Sequence, residues 1–133
     1  MDHSTLFDLQ GKVAYITGAA DGPKASLGAI FARCLAAAGV HVGLDDINSC
    51  ASVAGEINAS GGTAFAVRAD VSSEEEVVRA FGELRAALGA PAILVNNAAV
   101  GSNIPPIPVS SLAEEIWDQA MDVKPPLIFG QKL

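Results

Sequence analysis

The chain has little of what usually advertises a function. Its 8 lysines and arginines face 15 acids, a net charge of −7 over 133 residues. That balance argues against nucleic acid as a partner, because binding phosphates at physiological salt needs a basic face. An anionic membrane surface is disfavoured for the same reason. Only two cysteines occur, Cys34 and Cys50, without CxxC spacing. They predict free thiols in a reducing cytoplasm rather than a disulfide framework. The two histidines, His3 in the terminal stretch and His41 in an apolar strand, make no metal-ligand cluster, so no metal site is expected. No run approaches the roughly 18 apolar residues of a spanning helix. Acids stand where a secretory leader would need bases, so no leader is expected. The single tyrosine, Tyr15, lies inside a predicted strand and is expected in the core.

What is abundant points to an α/β fold. Half the residues are hydrophobic, and 133 residues suffice for one domain with a real core. Short apolar runs at 12–17, 40–45, 63–69 and 92–96 read as buried parallel strands. Helical spacing fills 27–38, 49–60 and 73–88, closed respectively by Gly39, by Gly61 and Gly62, and by Gly89. Ser72 or Ser73 can cap the third helix, whose first turn holds Glu74, Glu75 and Glu76 and whose buried stripe is Val77, Phe81, Leu84 and Leu88. Such alternation forces parallel strands with right-handed crossovers, and the predicted strand order is 3-2-1-4. A break at 101–108 contains Pro105, Pro106 and Pro108. A last helix is expected from Ser110 or Ser111 to about 122, with Leu112, Ile116, Trp117 and Met121 on one face, ended by Pro125 and Pro126.

The most informative stretch runs from Val13 to Gly28. Val13, Ala14, Tyr15, Ile16 and Thr17 favour a strand; Gly18, Gly22 and Gly28 make a glycine-rich turn; a helix-forming segment follows. Glycines let the backbone approach a pyrophosphate, and the N–H groups of a helix start point at the anion. A nucleotide is therefore the expected ligand. At the end of the second strand, Asp46 can accept hydrogen bonds from ribose hydroxyls and would repel a 2′-phosphate. The bland alternative for Asp46 is a solvated turn acid.

Four elements in sequence, Leu9-Gln10-Gly11-Lys12-Val13-Ala14-Tyr15-Ile16-Thr17-Gly18, Asp70-Val71-Ser72, Ile93-Leu94-Val95-Asn96-Asn97-Ala98-Ala99 and Trp117-Asp118-Gln119-Ala120-Met121-Asp122-Val123, resemble the short-chain dehydrogenase/reductases over nearly the whole chain. The resemblance implies a Rossmann-like doubly wound parallel sheet, truncated after the fourth strand and following helix. That would be a single NAD(P)-binding domain spanning 1–133, incomplete at its C-terminus. It implies an NAD-dependent oxidoreductase that transfers hydride between a secondary alcohol or ketone and nicotinamide, with NADP the less favoured cofactor. The implied cofactor contacts are Thr17, Gly18, Gly22, Leu27, Gly28, Asp46, Asp70, Val71, Asn97 and Ala98. Asp70 would meet the adenine amino group, or else cap the third helix. Asn97 would offer its main chain near the ribose, and Asn96 would tie adjacent strands.

The departures are informative too. Relative to the family's TGxxxGxG turn, Pro23, Lys24, Ala25 and Ser26 read as an insertion. Lys24 and Ser26 either add contacts to the pyrophosphate or bulge into solvent. Ala99 replaces a usual glycine, and Ala92 stands where the family has an acid. The family's catalytic Ser and its YxxxK pair are absent. Lys124 stands where its Asn is expected, unless two residues have been lost there. No catalytic residue is assigned, and a substrate pocket would exist only if completed by a C-terminal half. The alternative is a non-catalytic nucleotide-binding module, or a product acting through a full-length relative. Self-association is expected from an exposed fourth strand and the apolar residues Leu127, Ile128 and Phe129.

Overall fold

The computed structural model describes residues 8–22, 26–100 and 106–123. They form a four-stranded parallel sheet of order β3-β2-β1-β4, where β1 is Val13–Thr17, β2 His41–Asp46, β3 Thr63–Arg68 and β4 Ile93–Val95. The helices are α1 (Leu27–Ala37), α2 (Ala51–Ala59), α3 (Glu74–Leu88) and α4 (Glu114–Val123). The expected order, parallel pairing and doubly wound α/β class all stand.

Period-2 alternation sorts the strands' side chains between two cores. On one face Ala14, Ile16, Val42, Leu44 and Ala64 meet Ala29 and Ala32 of α1 and Val53 and Ile57 of α2. The alanines bring α1 close to the sheet. On the other face Tyr15 and Val67 meet Val77, Ala80 and Leu84 of α3, with the Tyr15 and Phe81 rings 6.0 Å apart and tilted by 59°.

The helices end where glycine permits a left-handed residue. Gly39 (φ 82°) and Gly61 (φ 86°) each follow the last turn. The N–H of Gly39 donates to the Ala36 carbonyl and that of Val40 to Leu35; Gly61 donates to Asn58 and Gly62 to Ile57. This repeated double bond satisfies carbonyls that a helix end would otherwise strand. The α3 start is set by side chains: Ser73 accepts from the Glu76 N–H, and Glu76 reaches back to accept from the Asp70 N–H at 2.8 Å.

The last helix departs from expectation. Val109–Ser111 is a single 3-10 turn, and α4 begins only at Glu114. The Ser111 N–H bonds to Pro108 and that of Leu112 to Val109, which closes the tight turn and leaves Leu112 extended rather than on a helix face. No residue of α4 is buried; Trp117 is 50% exposed. His41 opens β2 and is only partly buried, so it is not a full core residue. Cys34 is exposed and Cys50 buried, and both are unpaired thiols. Among the described residues no helix is long and apolar enough to cross a membrane. His3, the inserted Pro23, Lys24 and Ala25, the break through Pro105, Lys124, Pro125 and Pro126, and Leu127, Ile128 and Phe129 lie outside the described residues.

Candidate functional site

Parallel strands bring all their carboxyl ends to one edge, and the loops that follow enclose a cavity there. It measures about 500 Å³. Gly18 after β1, Asp46 at the end of β2, Asp70 and Val71 after β3, and Asn97 and Ala98 after β4 all line it. Six of the ten residues singled out from the sequence therefore meet. Gln119 and Val123 of α4 face the same space, as do Ile47, Asn48 and Val100, none of which the sequence pattern had singled out.

The glycine turn is built by close approach. Gly18 has φ 66°, and a side chain there would meet the Ala98 backbone at 2.9 Å. A Cβ on Gly28 would fall 2.1 Å from the Gly18 carbonyl oxygen and 2.7 Å from Asn97 Nδ2. The third glycine is thus Gly28, displaced by the insertion yet packed where the turn needs it. Ser26, the inserted residue that is described, donates its hydroxyl to the Gly18 carbonyl at 3.4 Å and lines the cavity. Gly22 and Leu27 are exposed and do not line it.

Thr17 is buried beneath the cavity floor. Its hydroxyl accepts from the Asn97 N–H at 3.2 Å and the Ala98 N–H at 3.1 Å. The Asn97 side chain donates to the Thr17 and Gly18 carbonyls, both at 3.0 Å. The tie between adjacent strands, expected from Asn96, is therefore made by Asn97, while Asn96 is exposed. The reason is register: pairing of β4 with β1 ends at Ile16 and Val95, so the second asparagine is the one that reaches the β1 carbonyls.

The charged walls differ in role. Asp46 accepts from the Ala20 N–H at 3.2 Å and from the Asn48 N–H at 2.9 Å, which orients its carboxylate at the rim. Asp70 accepts from the N–H and hydroxyl of Ser72 through one oxygen, so it does shape the α3 start while facing the cavity. Among the described residues, acids are the only charged side chains lining this space; their end of it suits ribose hydroxyls and amino groups.

Two features were not legible as site elements. Asp45, next to Asp46, is fully buried and accepts from the Tyr15 hydroxyl at 3.3 Å; its Oδ1 has no partner among the described residues. Burial pushes the Asp45 carboxyl up to about 6 and, with Asp45 beside it, pushes the Tyr15 phenol well above its ordinary range. Tyr15 is thus the expected core residue. Second, Arg33 of α1 reaches Asp21 of the glycine turn at 2.7 Å and Glu56 of α2 at 2.6 Å, and this contact lowers the Asp21 carboxyl below the usual range. A lone base on an otherwise apolar helix was the available signal. Among the described residues no group of His, Cys, Asp and Glu could hold a metal.

Comparison with known proteins agrees with this geometry. A family model described as short chain dehydrogenase matches residues 12–125. The chain is 42% identical over 116 residues to the uncharacterized oxidoreductase YuxG of Bacillus subtilis, covering 84% of this chain and 16% of that protein. It is 41% identical over 107 residues to the 7alpha-hydroxysteroid dehydrogenase of Escherichia coli K12, covering 79% of this chain and 40% of the relative. A metagenomic short-chain oxidoreductase crystallised with NADP superposes with a TM-score of 0.74 at 33% identity, over 87% of this chain and 51% of that one. The chain thus spans about half or less of the length of these proteins, and it belongs to the short-chain dehydrogenase family.

Proposed function

We propose that the chain binds NAD at the carboxyl edge of its sheet, as the cofactor-binding part of an oxidoreductase acting on a secondary alcohol or its ketone. The observation that carries this reading is the convergence of Gly18, Asp46, Asp70 and Asn97 from four strand ends on one cavity, with Gly28 packed too closely on Gly18 to admit a side chain. That cradle fits a dinucleotide. Nicotinamide supplies the hydride chemistry when bound, and the chain's residues bind and orient it. Backbone groups of Gly18 and Gly28 would serve the pyrophosphate, with Gly22 and Leu27 flanking them on the exposed side of the turn and Thr17 supporting it from below. Asp46 would accept the ribose hydroxyls and repel a 2′-phosphate, favouring NAD over NADP. Asp70 and the Val71 backbone would meet the adenine, and the main chain at Asn97 and Ala98 would flank the ribose. No residue of the chain is assigned to proton transfer, because Tyr15, the single tyrosine, is buried against Asp45.

Equilibrium titration with NAD and NADP tests this. NAD should bind more tightly, and Asp46→Ala should narrow the difference. Equal curves for the unmutated chain would remove the role given to Asp46, and no binding of either would overturn the reading. A second reading is a nucleotide-binding module that self-associates or pairs with a full-length relative in the cytoplasm. The half-exposed Leu94 on the edge strand β4 favours it.

A further inference from the structure

The turn after β1 leaves the sheet at Gly18 and reaches α1 at Leu27. Its first residues are tied inwards: the Ala19 N–H donates to the Asp45 carbonyl at 3.1 Å and the Ala20 N–H to the Asp46 carboxylate at 3.2 Å. Asp21 is tied the other way. Both its oxygens accept from Arg33 of α1, Oδ1 from Nη1 at 3.3 Å and Oδ2 from Nη2 at 2.7 Å. A two-pronged bond of this kind fixes direction as well as distance. The same guanidinium is held by Glu56 of α2, whose Oε2 accepts from Nε at 3.0 Å and from Nη2 at 2.6 Å. Arg33 is thus committed on two sides, and α1 is anchored to the sheet through its buried Gly28, Ala29 and Ala32. Asp21, an acid in the turn assigned to the pyrophosphate, does not line the cavity. Its charge is covered and faces the two helices. Unheld, that carboxylate would stand in the turn as a repulsive neighbour of any phosphate.

We propose that Arg33 is a positioning residue for the pyrophosphate: it draws the Asp21 carboxylate onto α1 and α2 and so keeps the glycine turn set for an anion. This rests on the dinucleotide reading above and adds to it a residue outside the cavity. Ion pairs at a protein surface contribute little to stability, and the Arg33 and Asp21 side chains are both more than a third exposed. A global brace is therefore a poor account of the bridge. Its effect falls on the turn itself, and so on the phosphate end of a ligand rather than the adenosine end, where Asp46 and Asp70 stand.

ADP and adenosine, which differ only in the pyrophosphate, separate these two ends. Each is titrated against the unmutated chain, Arg33→Met, Arg33→Lys, and Arg33→Met combined with Asp21→Asn. Arg33→Met should raise the Kd for ADP about fivefold, while the Kd for adenosine moves less than about twofold. Arg33→Lys should recover part of the loss, because an ammonium keeps the charge but not the fork. The double variant should bind ADP more tightly than Arg33→Met, since the freed charge is then gone. If Arg33→Met weakens ADP and adenosine alike, or weakens neither, Arg33 has no such role, although the dinucleotide reading survives. A double variant as weak for ADP as Arg33→Met overturns it equally, because Asp21 is then no hindrance to the anion. If the unmutated chain binds neither ADP nor adenosine, the dinucleotide reading itself fails and takes Arg33 with it.

Discussion

On one side of β1 the sheet is deep and covered; on the other it is thin. β1 pairs with β2 along its whole length, Val13 to Thr17, and β2 pairs with β3 from His41 to Asp46. The four central residues of β2 are all buried. Towards β4 the pairing runs only from Ala14 to Ile16, no residue of β4 is fully buried, and none of α4 is. The candidate cavity is slung between these two regions. Its Gly18, Asp46 and Ala69 wall belongs to the packed side, and its Asn97, Val100 and Gln119 wall to the thin side. Local stability follows buried contact, so one wall is rigid and the other is held chiefly by the bonds between Asn97 and Thr17. The expected division of labour is that the packed wall fixes the adenosine end while the thin wall adjusts.

The most damaging way to test that contrast is to break the packed side where it is tightest. Gly28→Ala places a Cβ against the Gly18 carbonyl and Asn97, backbone and a fixed amide that cannot swing away. Overpacking of this kind costs about 3 kcal/mol or more when backbone must move. Chemical denaturation should show a loss of that size together with loss of nucleotide binding. Gly55→Ala is the control: it lies in α2 with nothing within 4 Å of the added Cβ, and should stabilise by about 0.5–1 kcal/mol. Equal effects of the two would mean that the Gly18–Gly28 approach is not tight.

Next in size comes the buried acid of the packed side. Asp45 is flanked by Tyr15, with Asp46 and Arg79 acting on it from farther off. Its carboxyl rises from an ordinary 3.8 to about 6, so the folded state holds a proton that the unfolded chain releases. Stability from this group is full below about pH 4 and is lost as pH rises through about 6, the reverse of a salt-bridged acid. At about 1.4 kcal/mol per pKa unit the swing approaches 3 kcal/mol. Asp45→Asn should flatten this part of the stability–pH curve and match or exceed the unmutated chain at pH 7.5. A curve that still falls between pH 4 and 6 in Asp45→Asn would show that another group carries it.

These two sites also mark what the sequence made legible. The packed side was readable because each signal was local and redundant: apolar runs ended at glycines, Ser73 and Glu76 sat three apart at a helix start, and Gly28 kept the spacing to Gly39. Gly18 was legible in the glycine turn and Asp46 at a strand end, whereas Asp70, Val71, Asn97 and Ala98 were picked out only through the family resemblance. Three features depended on geometry that spacing does not carry. Which of Asn96 and Asn97 reaches β1 turns on a one-residue register. The Tyr15–Asp45 bond joins residues thirty apart, and the Asp21–Arg33–Glu56 bridge joins three elements. The late start of α4 was masked because Ser110 and Ser111 are good caps by type, yet Pro108 and Val109 close a 3-10 turn around them first.

A smaller change separates the two walls directly. Thr17→Val removes the hydroxyl that accepts from the Asn97 and Ala98 N–H groups while keeping shape. Two backbone donors lose a partner in a part-buried place, at about 1–3 kcal/mol. The loss should concentrate on the thin side. Amide hydrogen exchange should accelerate across β4 and residues 97–100, with little change in β2 and β3. Uniform acceleration would show the sheet melting as one unit and the contrast between its sides to be only one of packing.

The smallest expected effect on stability falls on the edge itself. Beyond β1, β4 has no neighbour among the described residues, so the outer N–H and C=O groups of Ile93, Leu94 and Val95 form a template for another strand. Leu94 is 48% exposed, and a charge placed there loses little burial while penalising a copy brought alongside. Leu94→Lys should therefore change unfolding free energy by no more than about 0.5 kcal/mol. Its consequence should appear in association: sedimentation at low micromolar concentration should show the unmutated chain self-associating despite its charge of −7, and the variant shifted towards monomer. A Leu94→Lys chain that associates as before would move the contact off β4, with the exposed Trp117 and Met121 of α4 the next surface to charge. If the unmutated chain is already a stable monomer, the thin side needs no partner, and the exposed edge is protected by its shortness alone.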